Sequence, residues 1–181
     1  MPDLFSVLLP LADREATFQA GAPLFYQGDP VERLYLIRNG CVRLLRIDEE
    51  GAPAVMQKAG AGEVLAEGSI FSETYHCDAV ALTYAEARWV TMRTLRQSLA
   101  TKLHMMEAVA RHLAHEVQRT RARVEILSRK TVRDRLSAWL AINGRELPQR
   151  GALKSAAEDI GVSPEAFYRE LSRRRLTTCT K

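Results

Sequence analysis

The chain has 181 residues, 46% of them hydrophobic and 27% charged, with a formal net charge of +4; this is the composition of a globular chain with one ordinary domain or two small ones. No run reaches the ~18 apolar residues of a membrane helix, and the start MPDLFSVLLP is too short and acidic for a signal peptide, which predicts a cytoplasmic protein without a membrane partner. Cys41, Cys77 and Cys179 are odd in number and far apart, which excludes a disulfide framework and a CxxC metal or redox pair.

Residues 3–12 read as a short helix, with Leu4, Val7, Leu8 and Leu11 at helical spacing. From Glu15 onward, short apolar runs (ATF, LFYQ, LYLIR, CVRLLRI, AVMQ, then Asp78–Leu82 and Ala85–Met92) alternate with Gly-, Asp- and Pro-containing turns. Strands of about five residues at intervals of about ten predict an antiparallel sandwich or barrel. Asn39-Gly40 between two such runs predicts a tight hairpin, whose two central residues both need φ > 0.

A capping box at Thr94-Leu-Arg-Gln97 is expected to start a long helix. Along it, Leu99, Leu103, Met106, Ala110, Leu113, Val117, Thr120, Val124 and Leu127 recur in alternating steps of four and three. That is the 3.5-residue seam of a left-handed coiled coil, roughly 43 Å long. So narrow a seam predicts pairing with a second copy of the chain in a symmetric homodimer, the alternative being a long amphipathic helix packed on the N-terminal domain. A second capping box, Thr131-Val-Arg-Asp134, opens a helix over Val132–Ile142, with Asn143-Gly144 ending it and a loop through Pro148 and Gly151 following. The predicted organisation is α+β: a β domain over 1–93, a dimerisation helix over 94–128 and a small helical domain over 129–181.

Residues 153–175 have a helix-turn-helix layout. Gly161 supplies the left-handed turn, Ala157 permits close crossing, and Ile160, Val162, Phe167 and Leu171 form the small core. Ser163 caps the second helix, with Pro164 at its first position and Glu165 near the positive end of its dipole. Its outward face carries Glu165, Tyr168, Arg169 and Arg173. Arg169 can donate two bonds to guanine and Glu165 can accept one from cytosine. Arg173, Arg174 and Arg175 suit phosphates, as do Ser163 and the helix N-terminal amides. Charge agrees: residues 1–117 carry 11 Lys and Arg against 15 Asp and Glu, a balance of −4, whereas residues 118–181 carry 15 against 7, a balance of +8. Double-stranded DNA is the predicted partner of the basic end.

In this order the modules resemble the cyclic-AMP receptor protein / fumarate-nitrate regulator family of bacterial transcription factors. The resemblance rests on Gly21, FYQGD at Phe25–Asp29, LYLI at Leu34–Ile37, Gly40-Cys41-Val42, Gly62-Glu63, and IGV followed by SPEAFYR at Ser163–Arg169. It implies a cyclic-nucleotide-binding-like jelly roll (a β-roll), a dimerisation helix and a winged helix-turn-helix domain. It further implies transcription regulation with RNA polymerase as a partner, and no catalytic residues. The wing is expected to be shortened or missing, because the chain passes from Leu176 to TTCTK. Glu170 stands where the family is usually apolar, and Tyr168 replaces a smaller residue.

The resemblance places an effector cassette at Gly62–Ala81. Glu67 falls on the family's ribose-binding glutamate, but Cys77 and Asp78 replace the arginine and the serine or threonine that hold the cyclic phosphate, and Ala66 replaces a glycine. A carboxylate beside a phosphate argues against cyclic AMP. His76-Cys77-Asp78 is the alternative, as a redox or metal-sensing tripeptide or as a small core cysteine between two solvated residues. Haem ligation by His76 or Cys77 is implied only by gas-sensing relatives, so the cofactor stays unassigned. Thr120 falls where the family's helix offers a hydroxyl to a nucleotide base. His104, His112 and His115 lie off the seam and are expected to be solvated; no metal site is predicted. Without a catalytic triad, phosphate-cradling loop or HExxH motif, an enzyme is not expected. An effector-sensing DNA-binding regulator is the leading reading, and a ligand-binding β-roll dimer acting through protein contacts is the alternative.

Overall fold

In a computed structural model, which describes residues 3–51, 53–144 and 153–178, the chain divides into two compact units, residues 1–113 and 114–181. The first begins with helix α1 (Leu4–Leu8), capped by the Asp3 carboxylate accepting from the Ser6 N–H at 2.7 Å. A single 3-10 turn, Leu9–Leu11, leads into the strands.

Eight strands follow: β1 (Arg14–Phe18), β2 (Pro23–Phe25), β3 (Arg33–Asn39), β4 (Cys41–Ile47), β5 (Pro53–Gly60), β6 (Val64–Leu65), β7 (Asp78–Ala81) and β8 (Ala85–Thr91). They form two four-stranded sheets, ordered β1-β8-β3-β6 and β2-β7-β4-β5, in which every pairing is antiparallel. This is the expected jelly-roll sandwich. Its core joins both sheets through residues such as Leu34, Leu36, Val42, Leu65 and Val90. Four successive residues of β3, Leu34–Ile37, are buried, so both faces of that strand are covered. Such a strand shows no period-two signal.

The hairpin expected at Asn39-Gly40 is not there. β3 and β4 lie in different sheets, and Gly40 is the corner by which the chain changes sheet. Its φ is +80°, while Asn39 stays out of the left-handed region and its side-chain oxygen accepts from the Gly40 N–H at 2.8 Å. A Cβ at Gly40 would stand 2.1 Å from the carbonyl oxygen of Tyr84. Close passage of another strand, rather than a two-residue turn, is why glycine stands there.

Helix α2 (Met92–Thr101) starts three residues before the box led by Thr94: Thr91 is the cap and accepts from the Thr94 N–H at 3.2 Å. A second helix, α3 (Leu103–Leu127), follows a break at Lys102, whose backbone is extended (φ −123°, ψ 97°). The single helix expected from the seam is therefore two. Leu95 and Leu99 on α2 and Met105 and Val109 on α3 are all buried in the sandwich core. Leu99 and Met105 are six residues apart and would point about 120° apart on one continuous helix. Each burial contributes about 1.5–3 kcal/mol, more than the ~1 kcal/mol of a helical hydrogen bond given up at the break. Leu99 is thus a core residue rather than a seam residue. Leu113 is half-buried against the same core, and Leu103, Met106 and Ala110 are exposed. His112 is half-buried, contrary to expectation, whereas His104 and His115 are exposed.

In the second unit, Val117, Thr120, Val124 and Leu127 on α3 are exposed while Ile126 is buried. Helices α4 (Val132–Ile142), α5 (Leu153–Asp159) and α6 (Pro164–Thr178) complete it. Thr131 caps α4 by accepting from the Asp134 N–H at 3.1 Å while its hydroxyl donates to the Asp134 carboxylate. The core is Ile126, Leu136, Ala156, Ala157, Ile160, Phe167 and Leu171. The loop expected around Pro148 and Gly151, the Arg175 side chain and Cys179 lie outside the described residues.

Candidate nucleic-acid interface and effector cassette

Helices α5 and α6 meet at a turn built on Gly161, whose φ is +65°. The Val162 N–H donates to the Ala157 carbonyl at 3.0 Å and closes the end of α5. Ser163 Oγ then accepts from the Ala166 N–H at 3.2 Å, with Pro164 at the first helical position. Arg135 on α4 ties the turn down, donating to the carbonyls of Ile160 (3.3 Å) and Gly161 (3.1 Å) and, through Nε, to that of Arg129 (2.8 Å). This last anchor was not legible in the sequence.

The turn fixes which face of α6 looks outward. Phe167 and Leu171 are buried, while Glu165, Tyr168, Arg169 and Arg173 are exposed at helical spacing. The Tyr168 ring stands edge-on to Phe167, centroids 6.4 Å apart. Backbone and Ser163 hydrogen bonding at the helix start holds the Glu165 carboxyl below its ordinary range, so it is an acceptor at neutral pH. The expectation for Arg174 fails. Its guanidinium does not wait for a phosphate but bonds the buried Glu170 carboxylate, the Arg133 carbonyl and Ser137 Oγ.

In the first unit, Glu67, His76, Cys77 and Asp78 come together at one end of the second sheet. Glu67 and Ser69 are buried in a 3-10 turn entered through Ala66, which adopts φ +74°. Among the described residues it is the only non-glycine with a positive φ, the strained mark of a glycine position. Ser69 Oγ lies 3.1 Å from His76 Nδ1, and the Arg46 Nε–H donates to the His76 carbonyl at 2.8 Å. Burial first, and Arg46 second, hold the His76 imidazole below its ordinary pKa.

Cys77 is 1% exposed within the sandwich core, and burial pushes its thiol up to about 11. It is a small apolar core residue, not the low-pKa thiolate a redox or metal sensor needs. Asp78 turns its carboxylate to the Gln27 backbone N–H, at 2.7 Å. These residues do not fit a cyclic phosphate: the guanidinium position is a buried thiol and the hydroxyl position is a carboxylate committed to the protein's own backbone. Haem ligation by Cys77 fits no better, because its sulfur is enclosed in the core. Among the described residues, no group of three His, Cys, Asp or Glu is placed to hold a metal ion. Thr120 is exposed on α3 in the second unit.

A model of the cyclic nucleotide-binding domain matches residues 15–102. The electron transport regulator A of Shewanella oneidensis is 23% identical over 141 residues, covering 78% of this chain and 56% of that protein. The chain thus spans little more than half the length of that relative. The global nitrogen regulator of Synechococcus elongatus is 26% identical over 182 residues, covering 97% and 79%. Among solved structures, FixK2 from Bradyrhizobium japonicum has the same fold, with a TM-score of 0.72 at 19% identity over 91% of this chain and 85% of that one. Two antiparallel sheets, the helix that follows them and the helix-turn-helix end agree with these matches. The chain thus resembles regulators of the cyclic-AMP receptor protein / fumarate-nitrate regulator family, in sequence through its cyclic nucleotide-binding domain and in fold over most of its length.

Proposed function

We propose that this chain is a dimeric DNA-binding transcription regulator whose sandwich senses an effector other than cyclic AMP and thereby repositions its recognition helices. The observation that carries the reading is the exposed face of α6, where Glu165, Tyr168, Arg169 and Arg173 project from a capped helix fixed by the Gly161 turn. Glu165 and Arg169 read base edges; Arg173 and Ser163 take phosphates.

Dimerisation through α3 is supported by the apolar or small residues left in solvent along it: Leu103 is 83% exposed and Val124 62%, with Met106, Ala110 and Val117 between them. An unpartnered stripe of that length is costly in water. The reading keeps the three-part organisation 1–93, 94–128 and 129–181, assigns no catalytic step, and takes RNA polymerase as the downstream partner. The mismatch at Cys77 and Asp78 directs the effector away from cyclic nucleotides, with Glu67 and His76 as the polar groups of the sandwich's effector region.

The experiment is a salt-titrated binding assay on duplexes selected from a random pool, with Arg169→Ala beside the wild type. Loss of preference at one base pair, at a cost of about 1–3 kcal/mol, is expected for a bidentate contact. Unchanged sequence preference would remove Arg169 from the reading role. Binding indifferent to sequence in the wild type as well would favour action through protein contacts.

A further inference from the structure

The inward stripe of α6 runs through Phe167, Glu170, Leu171 and Arg174, the spacing of the buried face of an amphipathic helix. The first and third are core residues, 0% and 5% exposed. The other two are charged, and Glu170 is only 7% exposed. Arg174 Nε lies 3.2 Å from Glu170 Oε1. Its Nη2 donates at 2.7 Å to the Arg133 carbonyl and at 2.7 Å to Ser137 Oγ, both on α4. Ser137 Oγ itself donates to the Arg133 carbonyl at 2.9 Å. The second half of the recognition helix is therefore held on α4 by a directional polar network.

We infer that Arg174 is a positioning residue for DNA reading: clamped to Glu170, Arg133 and Ser137, it fixes the rotation of α6 on α4 and hence the aim of Glu165 and Arg169. Apolar packing tolerates small rotations, whereas a planar guanidinium engaged by three acceptors does not. A rotation of α6 by about 20° carries a side-chain tip ~6 Å from the axis through roughly 2 Å. That is enough to break a base contact whose working range spans about half an ångström. The inference rests on the proposed DNA-reading role of α6.

The test compares the full-length wild type, Arg174→Lys and the double variant Glu170→Leu/Arg174→Leu. Two quantities are measured: the melting temperature, and the ratio of affinities for the best selected palindromic duplex over a random duplex at one salt concentration. Lysine keeps the charge but not the fork, so the ratio is expected to fall about tenfold while random-duplex affinity stays within twofold. The leucine pair restores apolar packing, often without loss of stability, so its melting temperature is expected near that of the wild type with the ratio still depressed. A ratio reduced less than threefold in folded Arg174→Lys overturns the inference and leaves the DNA-reading role standing. A wild-type ratio in the folded leucine pair also overturns it, since packing alone would then suffice. If the wild type shows no preference for any palindrome, the DNA-reading role fails and the positioning role fails with it.

Discussion

Asp78 Oδ1 accepts a 2.7 Å hydrogen bond from the backbone N–H of Gln27, joining the start of β7 to the turn after β2. The family resemblance gives this position to a phosphate-binding hydroxyl; here it carries an anion committed to an internal donor. A second anion brought beside it meets like-charge repulsion without a guanidinium at Cys77 to offset it. Calorimetric titration with cyclic AMP is expected to show no saturable binding up to about 1 mM. Asp78→Ala is expected to lower stability by about 1–2 kcal/mol through loss of this bond. Micromolar binding of cyclic AMP by the wild type would contradict the assignment.

Cys77 should behave as an enclosed thiol. Burial raises its pKa to about 11 from an ordinary value near 9. Thiolate at pH 8 is thus depleted about 100-fold relative to the unfolded chain, before steric exclusion is counted. Alkylation with iodoacetamide, followed by peptide mass mapping, is expected to modify Cys77 at least 100-fold more slowly in the native than in the denatured protein. For stability, the sign follows from the raised folded pKa. The contribution is complete below pH 9 and is lost as pH rises toward 11, because the unfolded chain releases its proton first. Rapid native labelling of Cys77 would restore the redox-sensor reading.

Among the described residues, Gly40 and Gly161 are the two glycines where added carbon meets a barrier. At Gly161 a Cβ would stand 2.7 Å from Leu127 Cδ2, in a backbone with φ +65°. Gly161→Ala is expected to destabilise the second unit by about 1–3 kcal/mol, read from denaturant unfolding followed by tryptophan fluorescence in a Trp89→Phe background, which leaves Trp139 as the reporter. Gly40→Ala meets the Tyr84 carbonyl itself, backbone that has no side chain to swing aside. It is expected to prevent accumulation of folded protein, as judged by solubility and circular dichroism. Wild-type unfolding curves for either variant would remove the close-approach explanation.

The sandwich was legible because its turns carry Gly, Asp and Pro at regular spacing and its strands are short. The helix-turn-helix was legible because Gly161, Ser163 and Pro164 each answer a local backbone requirement. What escaped was whatever depends on partners distant in sequence. Asn39-Gly40 has the local chemistry of a hairpin, yet which sheet each flanking strand joins is decided by β8 and β7. The 4-3 spacing of apolar residues ran through Lys102, yet beyond that break the off-seam residues Met105, Val109 and Ile126 are the buried ones. Spacing along one helix cannot register that the sandwich core requires a change of direction. Glu170 and Arg174 were readable as charges, but their enclosure follows from the approach of α4, 37 to 41 residues away.

Salt dependence separates the arginines of α6. Arg173 projects outward, so Arg173→Ala is expected to weaken all duplexes alike and to reduce the salt slope of binding by about 1. Filter binding across a range of salt concentrations checks this, and an unchanged slope would take Arg173 off the phosphate.

The most direct measurement is native mass spectrometry of the protein on a selected palindromic duplex, repeated after inserting half a helical turn between the half-sites. Two copies per duplex, with half-sites about 34 Å apart and binding lost on insertion, is the predicted result. One copy per duplex, or binding indifferent to the insertion, would contradict a paired spine holding two reading helices at fixed spacing.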